Sequence, residues 1–223
     1  MRGKIIAIEG IDGSGKNTQA RCLVDALSNL GREVKFFNFP YYNDTFFGRE
    51  IGLYLNGQFG GIKDLNPKFP SLLYAGDRLE KKLEIISAIE RGCDVVIDRY
   101  VSSNVAHQAG KVSGPEREVL TNWIETLEYQ VFGVPQPNLT LFLDVPPEFS
   151  RRMVLTKAAR TYTNKKEDIH EENFEYLSGV YVAYKELALR HDWYTVNCVS
   201  AQSMRGIKDI SDEVLNYVLE NVL

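Results

Sequence analysis

The sequence predicts an α/β fold: a parallel five-stranded sheet with helices on both faces. Two observations carry this reading. Short apolar runs alternate with longer segments of helical periodicity, the pattern of a parallel sheet covered on both sides. The first of those runs ends in a glycine-rich turn that opens directly into a helix. With 223 residues, the chain suits a single domain, 1–223, around one core.

Lys4–Glu9 is an apolar run stopped by Gly10, read as a buried strand. Ala20, Leu23, Val24, Leu27 and Leu30 then recur at helical spacing, and Gly31 ends that helix. Glu33–Phe39 is a second strand, closed by Pro40. Pro67 opens a helix with Asn66 as its cap, running to Gly92 with a bend at Pro70. Asp94–Asp98 is the third strand. Pro115–Phe132 is a helix ended by Gly133 and Pro135. Leu139–Asp144 is the fourth strand, and Pro146 starts the helix after it. Tyr194–Cys198 is the fifth strand. From Ser203 onward, Ile207, Ile210, Val214, Val218 and Val222 share one helical face. Ala159–Glu172 is polar and charge-rich, which fits either a mobile lid or a solvated loop.

Composition narrows the function. The hydrophobic fraction of 44% and charged fraction of 25% are those of an ordinary soluble protein. A net charge of −4 disfavours a dedicated nucleic-acid binder but leaves room for a nucleotide site, whose cations are local. Cys22, Cys93 and Cys198 lie far apart with no CxxC pair, which argues against zinc and for buried thiols in a reducing compartment. No apolar run approaches the ~20 residues of a membrane helix. The N-terminus enters the first strand at once, leaving no room for a signal peptide. The expectation is a cytoplasmic protein without nucleic-acid or membrane partners.

Ligands in such sheets gather at the carboxyl ends of the strands. Three polar signatures fall there: the glycine loop, Phe39-Pro40 and Asp98-Arg99. In the loop Gly10-Ile11-Asp12-Gly13-Ser14-Gly15-Lys16, the glycines let backbone N–H groups converge on phosphate oxygens. The helix N-terminus adds its positive dipole end, and Lys16 a full charge for the β- and γ-phosphates. This is the pattern of a P-loop phosphotransferase. Asn17 stands where a Ser or Thr hydroxyl usually ligates magnesium, and Thr18 comes one residue late, rotated ~100° around the helix. The loop alone is also compatible with nucleotide binding without turnover.

Taken together, the motifs resemble the thymidylate kinase family over nearly the whole chain. The likeness rests on Glu9-Gly-Ile-Asp-Gly-Ser-Gly-Lys-Asn-Thr-Gln19, Asn38-Phe-Pro-Tyr-Tyr42, Leu73-Tyr-Ala-Gly-Asp-Arg78, and Asp98-Arg-Tyr-Val-Ser-Ser-Asn-Val-Ala-His-Gln108. Gly133-Val-Pro-Gln-Pro-Asn138 and Asp168-Ile-His-Glu171, followed by Tyr176-Leu177 and Tyr181, extend it. The resemblance implies a nucleoside-monophosphate-kinase fold with a short lid at about 157–170. It implies transfer of the γ-phosphoryl of ATP to dTMP with Mg²⁺, in a homodimer.

The resemblance also implies residue roles. Lys16 would serve ATP, held by Gly10 through Thr18. Arg99 would hold the dTMP phosphate, where its planar fork suits the task. Asp98 would lie near magnesium through water, with Asn17 at the usual ligand position. Asp12 would reach the dTMP 3′-hydroxyl or the metal shell, or simply make an Asx turn. Tyr74 would stack on thymine and Arg78, one turn on, would reach a base carbonyl. Asn104 and Gln108 would face the base edge. His107 stands where the family commonly has Tyr or Phe near the sugar, and is otherwise a satisfied surface histidine. Phe39-Pro40 would wall the acceptor site, with Tyr42 near the sugar or base. Tyr41 replaces an arginine common in the family, and Arg49 is a candidate to compensate. Since Gly13-Ser14 carry no arginine, the second catalytic arginine is expected in the lid as Arg160.

Overall fold

The computed structural model describes residues 2–61, 64–155, 174–201 and 203–223. The expected lid, Arg160 and Asp168-Ile-His-Glu171 lie outside them.

Five strands form one parallel sheet: β1 Ile5–Glu9, β2 Val34–Asn38, β3 Asp94–Asp98, β4 Leu139–Asp144 and β5 Tyr194–Asn197. Their order across the sheet is β2-β3-β1-β4-β5. Ile8 lies opposite Asp98, and Asn38 opposite Asp98 on the other side, so the carboxyl ends of β2, β3 and β1 stand side by side. The helices are α1 Lys16–Asn29, α2 Phe46–Leu55, α3 Lys68–Glu90, α4 Val101–Ala109, α5 Pro115–Glu125, α6 Pro147–Leu155, α7 Phe174–Arg190 and α8 Ile207–Asn221. A two-stranded hairpin, β6 Val199–Ser200 with β7 Ser203–Met204, precedes α8.

Burial explains why the strands read as unbroken apolar runs. Alternate residues of β1 enter opposite layers. Ile5 and Ala7 pack with α3, α4, α5 and α7, while Ile6 and Ile8 pack with α1 and α8. A strand covered on both faces has no solvent side to mark with polar residues. A smaller cluster of Ile51, Tyr54, Leu55 and Leu73 joins α2 to α3, with Tyr42 and Tyr74 packed against it.

Some expectations need correction. Helix α2 falls in a stretch where none was assigned. Its Gly48 and Gly52 lower intrinsic propensity, yet Thr45 caps it by accepting a bond from the Gly48 N–H at 2.9 Å. Gly48 is there because a Cβ would lie 1.9 Å from the Tyr41 carbonyl oxygen. The helix expected over Pro115–Phe132 is α-helical only to Glu125 and continues as a π-helical turn, Thr126–Val131. Cys198 is buried, whereas Cys22 and Cys93 are only half-buried.

Candidate active site

The phosphate loop follows β1. Gly10 has φ 148°, and a Cβ there would meet Leu143 O at 2.9 Å and Ser14 Oγ at 2.8 Å, so this position admits only glycine without rearrangement. Ser14 N–H closes the turn on Ile11 O at 3.1 Å. Gly13 and Gly15 also take positive φ. Gly15 then stands as N-cap of α1 with no side-chain cap, which leaves the first helical N–H groups for an anion. Lys16 is buried and its Nζ donates to Ile11 O at 2.7 Å. Ser150 of α6 donates to Asp12 O, tying the loop to that helix. Thr18 is exposed on α1, as is Asn17.

The turn after β3 faces this loop. Asn17 Nδ2 donates to Asp98 Oδ2 at 3.1 Å, and Asn17 Oδ1 accepts from Arg21 Nε at 3.1 Å. Arg99 sits at φ 64°, a left-handed backbone that costs an L-residue about 1–2 kcal/mol. Strain of this kind persists where the surroundings dictate it. Here Glu9, fully buried at the end of β1, anchors the next residue. Its carboxylate accepts from Tyr100 N–H at 2.8 Å, Ser103 Oγ at 2.7 Å and Tyr184 OH at 3.1 Å. A carboxylate at the N-terminus of α4 also suits the helix dipole. The Arg99 guanidinium pairs with Asp12 Oδ1 and lies 3.3 Å from His107 Nε2.

His107 is not a surface histidine. It is buried against Tyr176 and Tyr184. Tyr176 OH donates to His107 O at 3.0 Å, so its single proton is used. The 3.0 Å contact between Tyr176 OH and His107 Nδ1 therefore has the imidazole as donor, leaving Nε2 to accept from Arg99. Burial, then Arg99, Lys16 and Lys111, hold this imidazole neutral well below its ordinary pKa.

A second set of groups lies between α2, α3 and α4. Arg78 is not exposed on an amphipathic face but buried, with Nε and Nη2 bonded to the buried Glu128 carboxylate at 2.5 and 2.6 Å. Burial opposes the Arg78 charge, but Glu128 outweighs it and raises the pKa. The same guanidinium lies 5.9 Å from the Phe39 ring centroid. Phe39 precedes a cis peptide to Pro40 and packs on Tyr41 and Tyr100. Asp77 holds this wall, accepting from Tyr41 N–H at 3.0 Å and Thr45 Oγ1 at 2.5 Å. Tyr74 and Tyr42 are half-buried at the edge of the set. Asn104 Nδ2 donates to Ser71 O at 3.0 Å and Glu128 Oε1 at 2.8 Å. Gln108 Oε1 accepts from Lys111 Nζ at 2.6 Å, and Lys111 also donates to Tyr54 OH at 2.9 Å. Burial alone pulls the Lys111 ammonium down to about 7. Asn104 Oδ1 and Gln108 Nε2 are buried with no hydrogen-bond partner among the described residues. Buried amide atoms of that kind call for a ligand or water.

The structure thus gathers Gly10 to Lys16, Asn17, Asp98, Arg99 and His107 in one place, and Phe39, Arg78, Asn104 and Gln108 beside them. Arg49 is exposed on α2. Among the described residues, no group of three or more His, Cys, Asp or Glu side chains could hold a metal ion. Sequence reasoning assigned no role to Glu9, Asp77 or Glu128. The signal for Glu128 was a charge at i+4 from Ile124 and i+8 from Leu120, on the buried stripe of its helix.

Known proteins share the sequence pattern and the fold. A sequence model described as thymidylate kinase matches residues 8–209. The chain is 30% identical to a thymidylate kinase of Plasmodium falciparum over 97% of this chain and 90% of that one. It is 31% identical to one from Mycobacterium tuberculosis over 82% and 85% of the two chains. The solved thymidylate kinase of Candida albicans superposes with a TM-score of 0.77 at 24% identity, covering 99% of this chain and 92% of that chain, and shares the fold. A family match over residues 8–209, with a relative 30% identical across 97% of this chain and 90% of its own, places the chain in the thymidylate kinase family.

Proposed function

We propose that the residues described above divide between them the reaction of the thymidylate kinase family, transfer of the γ-phosphoryl group of ATP to dTMP. As a member of that family the protein is an ATP-dependent nucleoside-monophosphate kinase, giving ADP and dTDP for dTTP synthesis. Such transfer needs two polyanions aligned end to end, so positioning and charge neutralisation carry the catalysis. Lys16 and the N–H groups of Gly10 to Thr18 take the ATP phosphates. Arg99 grips the acceptor phosphate, oriented by Asp12 on one side and His107 on the other. Arg160 is the proposed lid arginine, and the chain is proposed as a single domain with its lid at about 157–170.

The observation that carries the substrate is the pair of unsatisfied buried amide atoms on α4. Thymine presents a carbonyl, an N–H and a second carbonyl along one edge. Arg78 Nη1 and Gln108 Nε2 are donors, and Asn104 Oδ1 is an acceptor. Two donors and one acceptor are what the thymine edge requires. Tyr74 supplies the stacking surface, Tyr42 approaches the sugar or base, and Phe39-Pro40 forms the wall.

Mg²⁺ is the proposed metal, and when bound it would supply positive charge to neutralise the phosphates. The residues fit an ion that takes few protein ligands. Asp98 supplies a hard carboxylate, through water. Asn17 would orient Asp98 through its Nδ2, while its Oδ1 already accepts from Arg21. We also propose a homodimer. Leu72, Leu79 and Leu83 are exposed along one face of α3, and Phe46 and Leu53 are exposed on α2 beside it. No helix among the described residues is long and apolar enough to cross a membrane. Three unpaired thiols fit the reducing cytoplasm.

The test is phosphate transfer from ATP measured across dTMP, dUMP, dCMP, dGMP, UMP and thymidine. dTMP is expected to be the best acceptor. A different preferred acceptor rejects the thymine assignment, and absence of turnover with any acceptor favours a nucleotide-binding module instead.

A further inference from the structure

Asn104 can be built into a site with either its oxygen or its nitrogen leading, and the choice decides which base it reads. An acceptor at this position matches the N3–H of thymine. A donor there matches the bare N3 of cytosine. Nothing in the asparagine itself selects between the two, because a half-turn about χ2 exchanges them.

The surroundings do select. Asn104 Nδ2 has two acceptors in reach, Ser71 O at 3.0 Å and Glu128 Oε1 at 2.8 Å. A backbone carbonyl and an ionised carboxylate accept only, so both must face the NH₂ group. Turning the amide over would set Oδ1 against a carboxylate oxygen and a carbonyl oxygen, losing two bonds and adding repulsion. Glu128 in turn cannot move away. It is fully buried, and both of its oxygens are bonded to Arg78. The π-helical turn Thr126–Val131 is what brings this carboxylate there, and Phe132 N–H and Val134 N–H fix its end on Leu127 O and Glu128 O. One side chain therefore orients two base-facing groups at once.

We infer that Glu128 is a specificity-determining positioning residue, which fixes the Asn104 amide with its oxygen toward the base and so makes the pocket read an N3–H. It touches no substrate. This rests on the base pocket proposed above, and goes beyond it in naming the residue that sets the pocket's hydrogen-bond polarity.

The experiment compares wild type, Glu128→Gln and Glu128→Asp. The readouts are kcat/KM for dTMP and for dCMP, KM for ATP, and the thermal midpoint. Glutamine has an NH₂ group that can face Asn104 Oδ1, so the amide is released. Aspartate keeps a buried charge for Arg78 but is one methylene shorter and draws back from Asn104. The ratio of kcat/KM for dTMP over dCMP should fall tenfold or more in Glu128→Gln and by less in Glu128→Asp, with KM for ATP unchanged. A lowered thermal midpoint with the wild-type ratio in both variants overturns the inference, since a purely structural carboxylate would do that. Should Glu128→Gln not fold, the ratio in Glu128→Asp decides alone. A wild-type enzyme with no preference for dTMP over dCMP overturns the base pocket itself, and this inference with it.

Discussion

Replacing Glu9 by alanine removes the acceptor of three hydrogen bonds, from Tyr100 N–H, Ser103 Oγ and Tyr184 OH. Glu9 is fully buried, so water cannot take the place of its oxygens. Ser103 Oγ and Tyr184 OH also lie 2.8 Å apart, so one hydroxyl can still donate to the other. Two donors are left bare. At about 1–3 kcal/mol for each, Glu9→Ala should lose roughly 2–6 kcal/mol of stability. That is a large share of the roughly 5–15 kcal/mol that holds a typical domain together. Glu9→Gln keeps an oxygen for Tyr100 N–H, and its NH₂ can donate to a hydroxyl, so its loss should be about 1 kcal/mol. Because Tyr100 follows Arg99, both variants should also lower kcat/KM for the acceptor more than for ATP. Urea unfolding at constant m-value and steady-state kinetics measure the two effects. Glu9→Ala within 1 kcal/mol of wild type, or Glu9→Gln as damaging as Glu9→Ala, would refute the reasoning.

Lys16→Ala and Arg99→Ala should each lower turnover at least ~100-fold in folded protein, since each removes charge stabilisation of the transferring group; near-wild-type rates in both reject the mechanism. Arg160→Ala should lower mainly kcat, and an unchanged kcat assigns the lid role to another residue. His107 stays neutral when folded, whereas the unfolded chain takes up a proton near its ordinary value of 6.5. Its contribution to stability is thus complete above that pH and is lost as pH falls, with a slope of at most about 1.4 kcal/mol per pH unit. Stability of His107→Gln, followed from pH 7 to about 5, should decline less steeply than wild type by that margin; equal slopes contradict the assignment. Leu83→Glu places a charge on the exposed face of α3 and should give a monomer by light scattering, whereas an unchanged mass puts any dimer contact elsewhere.

The sheet was legible because burial on both faces writes an apolar run into each strand. The phosphate loop was legible because its chemistry is local: glycines, a lysine and a helix start within a few residues. Helix α2 was not, since Gly48 answers to the Tyr41 carbonyl rather than to helix propensity. The carboxylates that hold the site were hidden for a different reason. Glu128 lies 50 residues from Arg78, and Glu9 lies 94 from Ser103. A single glutamate in a sequence reads as a solvated charge, and its partner becomes visible only when the chain closes on itself. Arg78 illustrates the limit. Its spacing from Tyr74 suggested that both line one pocket, but not that its Nε and Nη2 are already bonded to Glu128.

The left-handed backbone at Arg99 has a consequence for stability. Glycine would adopt φ 64° without steric penalty, so on backbone grounds alone it is the better residue there. Even after the larger entropy that a glycine loses on folding, the gain would be on the order of 1 kcal/mol. Against that gain stands the guanidinium itself, since Arg99→Gly would leave Asp12 Oδ1 and the buried His107 Nε2 without it. The backbone at this position thus favours one residue and the side-chain partners another, so the strained turn is a place where local stability and the placing of a charge pull in opposite directions.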